Sequence, residues 1–118
     1  MAIELKRVYD PPAPSDGRRV LVDRVWPRGV AREDLVIDAW LKDLAPSAEL
    51  RRWFAHDATK WHEFKRRYFD ELTARAETIE GLVADASSGR VTLLFATRDR
   101  EHNNAVALKA YLEQRLRR

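Results

Sequence analysis

Cysteine is absent from the 118 residues. That excludes disulfides, thiolate metal centres and a cysteine nucleophile, and it fits a reducing compartment, so a cytoplasmic location is expected. No stretch approaches the roughly 20 apolar residues that span a bilayer, which argues against a membrane partner. The opening stretch MAIELKRVYD has no apolar segment of the secretory type. Neither GxGxxG nor GxxxxGK[ST] occurs, so the common phosphate-cradling loops are missing. An excess of charge of one sign is lacking too: 22 Lys and Arg face 19 Asp and Glu, for a net +3. Such a balance tolerates an anionic ligand and does not call for nucleic acid. Internal repeats and low-complexity segments are also missing.

What is there reads as one α/β domain over residues 1–118. Apolar residues make up 45% and charged residues 35% of the chain, the balance of a globular domain with a well-solvated surface. Ile3 to Tyr9 alternates and suggests a half-exposed edge strand. Asp10 to Gly17 is dense in Pro, Asp and Gly and must be a loop. RVLVDR, from Arg19, and VTLLFAT, from Val91, are apolar on both faces, as buried parallel strands are. Between them lies helical patterning. Leu35, Ala39, Trp40 and Leu44 suggest a short helix. Ser47 N-caps a second, with Leu50, Trp53 and Phe54 on its apolar face. A third starts near Asp57 or Thr59 and runs through Trp61, Phe64, Tyr68, Leu72, Ala76, Ile79 and Val83 to a stop at Gly89. The last starts near Asp99, and the basic tail Arg115, Arg117 and Arg118 complements its C-terminal dipole. The expected architecture is a small three-layer-like domain, with a short, mainly parallel sheet of about three strands packed by about four helices.

A helical crossover between neighbouring strands makes them parallel, so both buried strands end at the same sheet edge. Ligands of open parallel sheets bind beyond that edge. One strand exits through Asp23, Arg24, Trp26, Pro27, Arg28 and Gly29, the other through Arg98, Asp99, His102, Asn103 and Asn104. Arg24 and Arg28 on a proline-stiffened loop suit a carboxylate or phosphate, which guanidinium forks bind bidentately. They could equally pair with Asp23 and Asp99 to tie the edge together. Trp26 offers a stacking face for a ring or an arginine. Asp99 reads as a helix N-cap, leaving His102, Asn103 and Asn104 in a first turn whose free N–H groups suit an anion. Asp23, Asp99 and His56 are the candidates for acid–base roles, His because it titrates near neutrality. His56 and His62 lack the i, i+4 spacing of a helical metal pair, so no metal site and no cofactor are expected. The aromatics from Trp40 to Phe69 read as core rather than as a base-stacking platform.

Four blocks, KRVYD, DGRRVLVDRVWPRGV, WLKDLAPSAELRRWFAHDATKWHEFKRRYFDEL and VTLLFATRDREHNNAVALKAYLE, agree in order and spacing with one family. Across residues 5 to 113 the chain resembles the YeaO-like branch of domain-of-unknown-function family 488. Longer members also have an aspartate–arginine strand exit followed by proline. Their last polar segment resembles a Cys-His-Arg cluster, whereas His102-Asn103-Asn104 stands here, so thiol chemistry does not carry over. The resemblance implies a fold and no established activity. Some relatives are labelled MarR-type transcription regulators, but a winged helix-turn-helix does not fit parallel-type strands and balanced charge. Three functions remain. One is binding of, or action on, a small anionic or nucleotide-like ligand at the strand exits. The second is a protein-interaction module built on the amphipathic helices. The third is a nucleic-acid binder using Arg51, Arg52, Lys60, Lys65, Arg66 and Arg67, cations interrupted by Glu63, Asp70 and Glu71.

Overall fold

The computed structural model describes residues 2–117, so Arg118 of the basic tail lies outside the described residues. Strands β1 (Ala2–Arg7), β2 (Arg18–Leu21), β3 (Ala39–Trp40) and β4 (Arg90–Phe95) form one sheet in the order β1-β4-β2-β3. Every pairing is parallel. The expected neighbours are neighbours: Val20 lies opposite Leu93 and Leu21 opposite Leu94. β1 is an edge strand, as its alternation predicts.

The sheet's two faces are covered differently. Val20, Val22, Val91, Leu93 and Phe95 point toward the helices α1 (Ala48–Phe54), α2 (Trp61–Thr73), α3 (Ala76–Ser88) and α4 (Asn104–Leu116), and form the main core with them. Leu21 and Leu94 point the other way, against Leu35, Trp26, Val30 and Trp40. The third layer is therefore the extended segment 25–40 rather than helix.

Three local expectations change. The apolar spacing of Leu35, Ala39, Trp40 and Leu44 does not come from one helix: Ala39 and Trp40 are extended and Leu44 ends a separate 3-10 turn, Lys42–Leu44. Leu35 and Trp40 pack on one face of the sheet and Leu44 on the other, which one helical stripe cannot do. Ala39 and Trp40 instead pair with Val20 and Leu21 as a fourth strand. The long helix from Asp57 is two helices, α2 and α3. A straight helix over 61–88 would run about 42 Å, beyond the molecule's longest dimension of 38 Å. Arg75 N–H bonds the Leu72 carbonyl, and Ile79 N–H the Arg75 carbonyl, so the chain turns there and its apolar stripe faces inward on both sides of the break. Finally, α4 begins at Asn104 rather than near Asp99.

Candidate functional site

The site is built by the way four strands end together. Val22 N–H continues the β2–β4 ladder to the Leu94 carbonyl at 3.2 Å. One step on, a side chain replaces the ladder: Asp23 Oδ2 accepts from Ala96 N–H at 2.9 Å. Arg7, at the end of β1, donates to the Ala96 and Thr97 carbonyls at 2.8 and 2.9 Å. Trp40 Nε1, at the end of β3, donates to the Asp23 carbonyl at 2.7 Å. The edge is thus fixed by the protein's own hydrogen bonds.

The segment after β4 winds through two successive caps. Asp99 Oδ1 accepts from Glu101 and His102 N–H, both at 2.9 Å, and those bonds hold its carboxyl below the ordinary carboxylate range. Asn103 then caps α4: its Oδ1 accepts from Val106 N–H at 3.0 Å, while its Nδ2 donates to the Asp99 carbonyl at 2.8 Å. That second cap explains the late start of α4. Asn104 opens the helix and turns its amide back to the sheet, donating to the Val22 carbonyl at 3.0 Å and Asp23 Oδ1 at 3.1 Å. His102 Nδ1 lies 3.1 Å from Asp99 Oδ2, and its ring stands edge-on to Trp61 with centroids 5.4 Å apart. Among the described residues, Nε2 of His102 has no hydrogen-bond partner.

A cleft of about 300 Å³ opens beyond this edge. Asp23, Arg24, Trp26, Arg28, His102 and Asn103 line it, together with Asn104 and His56. Arg98 and Asp99 do not line it: Arg98 is exposed away from the cleft, and Asp99 stands behind His102. Trp26 is already stacked: the Arg32 guanidinium lies 4.4 Å from its ring centroid, and its Nε1 donates to the Val30 carbonyl at 2.7 Å. His56 is exposed at the rim on a turn where Ala55 and His56 both have positive φ, 47° and 56°. Burial pushes the Asp23 carboxyl above its usual range, against the bonds from Asn104 and Ala96. Among the described residues, no group of three or more His, Asp or Glu is placed to hold a metal ion.

Arg51, Phe54 and Phe64 also line the cleft, and Ala45 and Pro46 close one side. Phe54 and Phe64 carry the helical periodicity of core residues, and they are core; their stacked rings, 4.3 Å apart, also wall the cleft. Arg51 looked like one surface cation among several. Only the packing of α1 over the sheet edge brings it to Arg24 and Arg28.

The geometry defines a parallel-sheet α/β domain with helices on one face and a polar cleft beyond the carboxyl ends of its central strands. The family model described as the inactive DUF488-N3 subclade matches residues 2–118, and the chain belongs to that family, in its YeaO-like branch. It is similar to the uncharacterised protein YeaO of Escherichia coli, 39% identical over 112 residues that cover 95% of this chain and 97% of that protein. It is equally similar to the uncharacterised proteins Mb3100c of Mycobacterium bovis and Rv3073c of Mycobacterium tuberculosis. Each is 40% identical over 113 residues, covering 96% of this chain and 95% of the relative. No solved structure matches the chain.

Proposed function

We propose that the cleft binds a small anionic, nucleotide-like ligand and that the protein acts through binding rather than turnover. The observation that carries this is a convergence of arginines: Arg52, Arg75, Arg90 and Arg98 also lack a side-chain partner among the described residues, but they lie apart from the cleft, whereas three such arginines meet at its mouth. Arg7, Arg19, Arg66, Arg67 and Arg100 spend their guanidinium donors inside the protein. At the cleft, Arg24 makes only a 3.4 Å contact to the Pro46 carbonyl, and Arg28 and Arg51 have no side-chain hydrogen bond or ion pair among the described residues. Three uncommitted forks at one mouth suit phosphate or carboxylate. Phe54 and Phe64 add apolar surface for the rest of the ligand.

Binding without turnover is favoured because the polar groups at the floor are already employed. Asp23 ends the sheet ladder, and Asn103 caps α4. The family model's description, an inactive subclade, agrees with that reading. Nucleic acid is less well served. Arg66 and Arg67 pair with Glu63, and Lys60, Lys65 and Arg67 lie over Trp53 or Trp61. A docking module is also less well served, since the large exposed apolar residues Tyr9, Val25 and Val36 are few.

The test is thermal shift against a panel of mononucleotides and other phosphorylated metabolites. A ligand at a hundred times its dissociation constant should stabilise the parent by about 2.7 kcal/mol. Arg28→Ala should weaken that ligand by about ten- to a hundredfold, the loss of one charge-assisted contact. The melting temperature of the free protein should stay at the parent's value, because the Arg28 side chain supports nothing internal. An unchanged ligand response in Arg28→Ala removes this residue from the site, and no response by the parent to any anion removes the function.

A further inference from the structure

A carboxylate is an unfavourable floor for an anion site, and that conflict narrows the ligand. Asp23 lines the same cleft as Arg24, Arg28 and Arg51. An ionised carboxylate has about four acceptor positions, two on each oxygen. Ala96 N–H occupies one on Oδ2, and Asn104 Nδ2 one on Oδ1. Each oxygen keeps one. No ion pair to Asp23 forms among the described residues. Arg51 acts on it only through space, beyond ion-pair distance, and a partly buried carboxylate with two open acceptor positions is costly unless something supplies donors. The side chain cannot turn away to find them, because its two bonds hold the end of the β2–β4 ladder.

The occupant must therefore be two-ended. One end is anionic and meets the arginines. The other presents adjacent donors spaced to match the two oxygens of one carboxylate, and no anion. Two adjacent donors held in one plane are what the edge of a nitrogen heterocycle presents, and the apolar surface that Phe54 and Phe64 add to the lining suits the rest of such a ring. A cleft of about 300 Å³ has room for one such molecule, not for a polymer strand.

Building on the anion-binding reading above, we propose that the cleft takes a purine mononucleotide whose ring edge offers two adjacent N–H donors, a guanine-type edge, to Asp23 while its phosphate lies among Arg24, Arg28 and Arg51. Asp23 is then the residue that sets specificity, and the arginines supply affinity without choosing the base.

Because Asp23 also holds the sheet edge, the test varies the ligand and leaves the protein intact. Isothermal titration of the full chain compares guanosine, inosine and adenosine 5′-monophosphates, 2′-deoxyguanosine 5′-monophosphate and inorganic phosphate at one pH and ionic strength. Inosine monophosphate lacks the 2-amino donor, and adenosine monophosphate has an acceptor where guanine has N1–H. The expected order is guanosine above inosine above adenosine, with guanosine monophosphate about ten- to a hundredfold tighter than inosine monophosphate. The 2′-deoxy compound should match guanosine monophosphate. Equal affinity for the three ribonucleotides overturns the proposal and leaves the anion site standing. A loss confined to the 2′-deoxy compound also overturns it, since the donors would then be the ribose hydroxyls. No binding by any of the five overturns the anion site itself.

Discussion

Ala55 ends α1 with φ 47° and ψ 39°, and His56 follows with φ 56°. A side chain bearing Cβ is disfavoured in this left-handed region, where glycine sits without penalty. Two such residues in succession at the rim of the cleft mean that packing, not local preference, sets the turn. Ala55→Gly should relieve the first and stabilise the protein by about 0.5–1 kcal/mol, read as a higher urea midpoint with an unchanged slope. A lower midpoint would mean that the Ala55 methyl packs usefully, and the turn would not be strained. The other residues of the site divide by how they reach it. Asp23, Arg24 and Arg28 are legible from the chain alone, because they follow directly on an apolar run that has to be a buried strand. Arg51, Phe54 and Phe64 reach the cleft only through the docking of α1 and α2. Nothing in their spacing separates them from ordinary surface and core positions.

At the scale of elements, strands were easier to read than helix ends. β2 and β4 are apolar on both faces, a pattern that few other environments demand. β3 escaped notice because a two-residue strand pairing at a sheet edge has no periodicity of its own. The start of α4 was hidden for a different reason. Asp99, Asn103 and Asn104 are all good capping residues, and only the geometry decides among them. Asn103 bonds Val106 N–H, three residues on, as an N-cap does, while Asp99 closes a tight turn one step earlier. The two substitutions should therefore differ. Asn103→Ala should cost about 1–2 kcal/mol in urea unfolding, since it removes the helix cap and the bond to the Asp99 carbonyl. Asp99→Ala should cost less stability, because the turn it caps is exposed, and should instead free the His102 ring. Equal costs would place the helix start back at Asp99.

Two charge clusters lie at opposite ends of the sheet. Near the start of β2, Asp16 is buried and fully engaged. Lys6 Nζ lies 2.7 Å from its Oδ1 and Arg19 Nη1 2.5 Å from its Oδ2, and its carbonyl accepts from Thr92 Oγ1. Gly17 beside it has φ 64°, and a Cβ there would collide with the Arg90 carbonyl, so the turn into β2 admits no other residue. Beyond the carboxyl ends of β2 and β4 lie the unpaired arginines and Asp23. Paired charge holds the first end; at the second, the Asp10–Arg100 pair stands near cleft arginines that have no ion pair among the described residues. Acid should separate the two. The hydrogen bond from Lys6 and the one from Arg19 hold the Asp16 carboxyl down to about 2. A carboxyl lowered in the folded state gives stability that is complete above its unfolded value near 4 and is lost as pH falls through its folded value. Asp16 should therefore contribute about 2 kcal/mol at neutral pH, lost between about pH 4 and pH 2. Asp23 has the opposite sign: its carboxyl is raised by burial, so mild acid relieves a cost rather than removing a support. Urea unfolding across this range should show the parent losing stability, and Asp16→Asn should be weaker at pH 7 and lose less than the parent between pH 4 and pH 2, keeping the slope of the other lowered carboxyls. Equal slopes in the two proteins would move the acid sensitivity away from Asp16 to the other lowered carboxyls, Asp10 beside Arg100 and Glu63 beside Arg66 and Arg67 among them, both held to about 2.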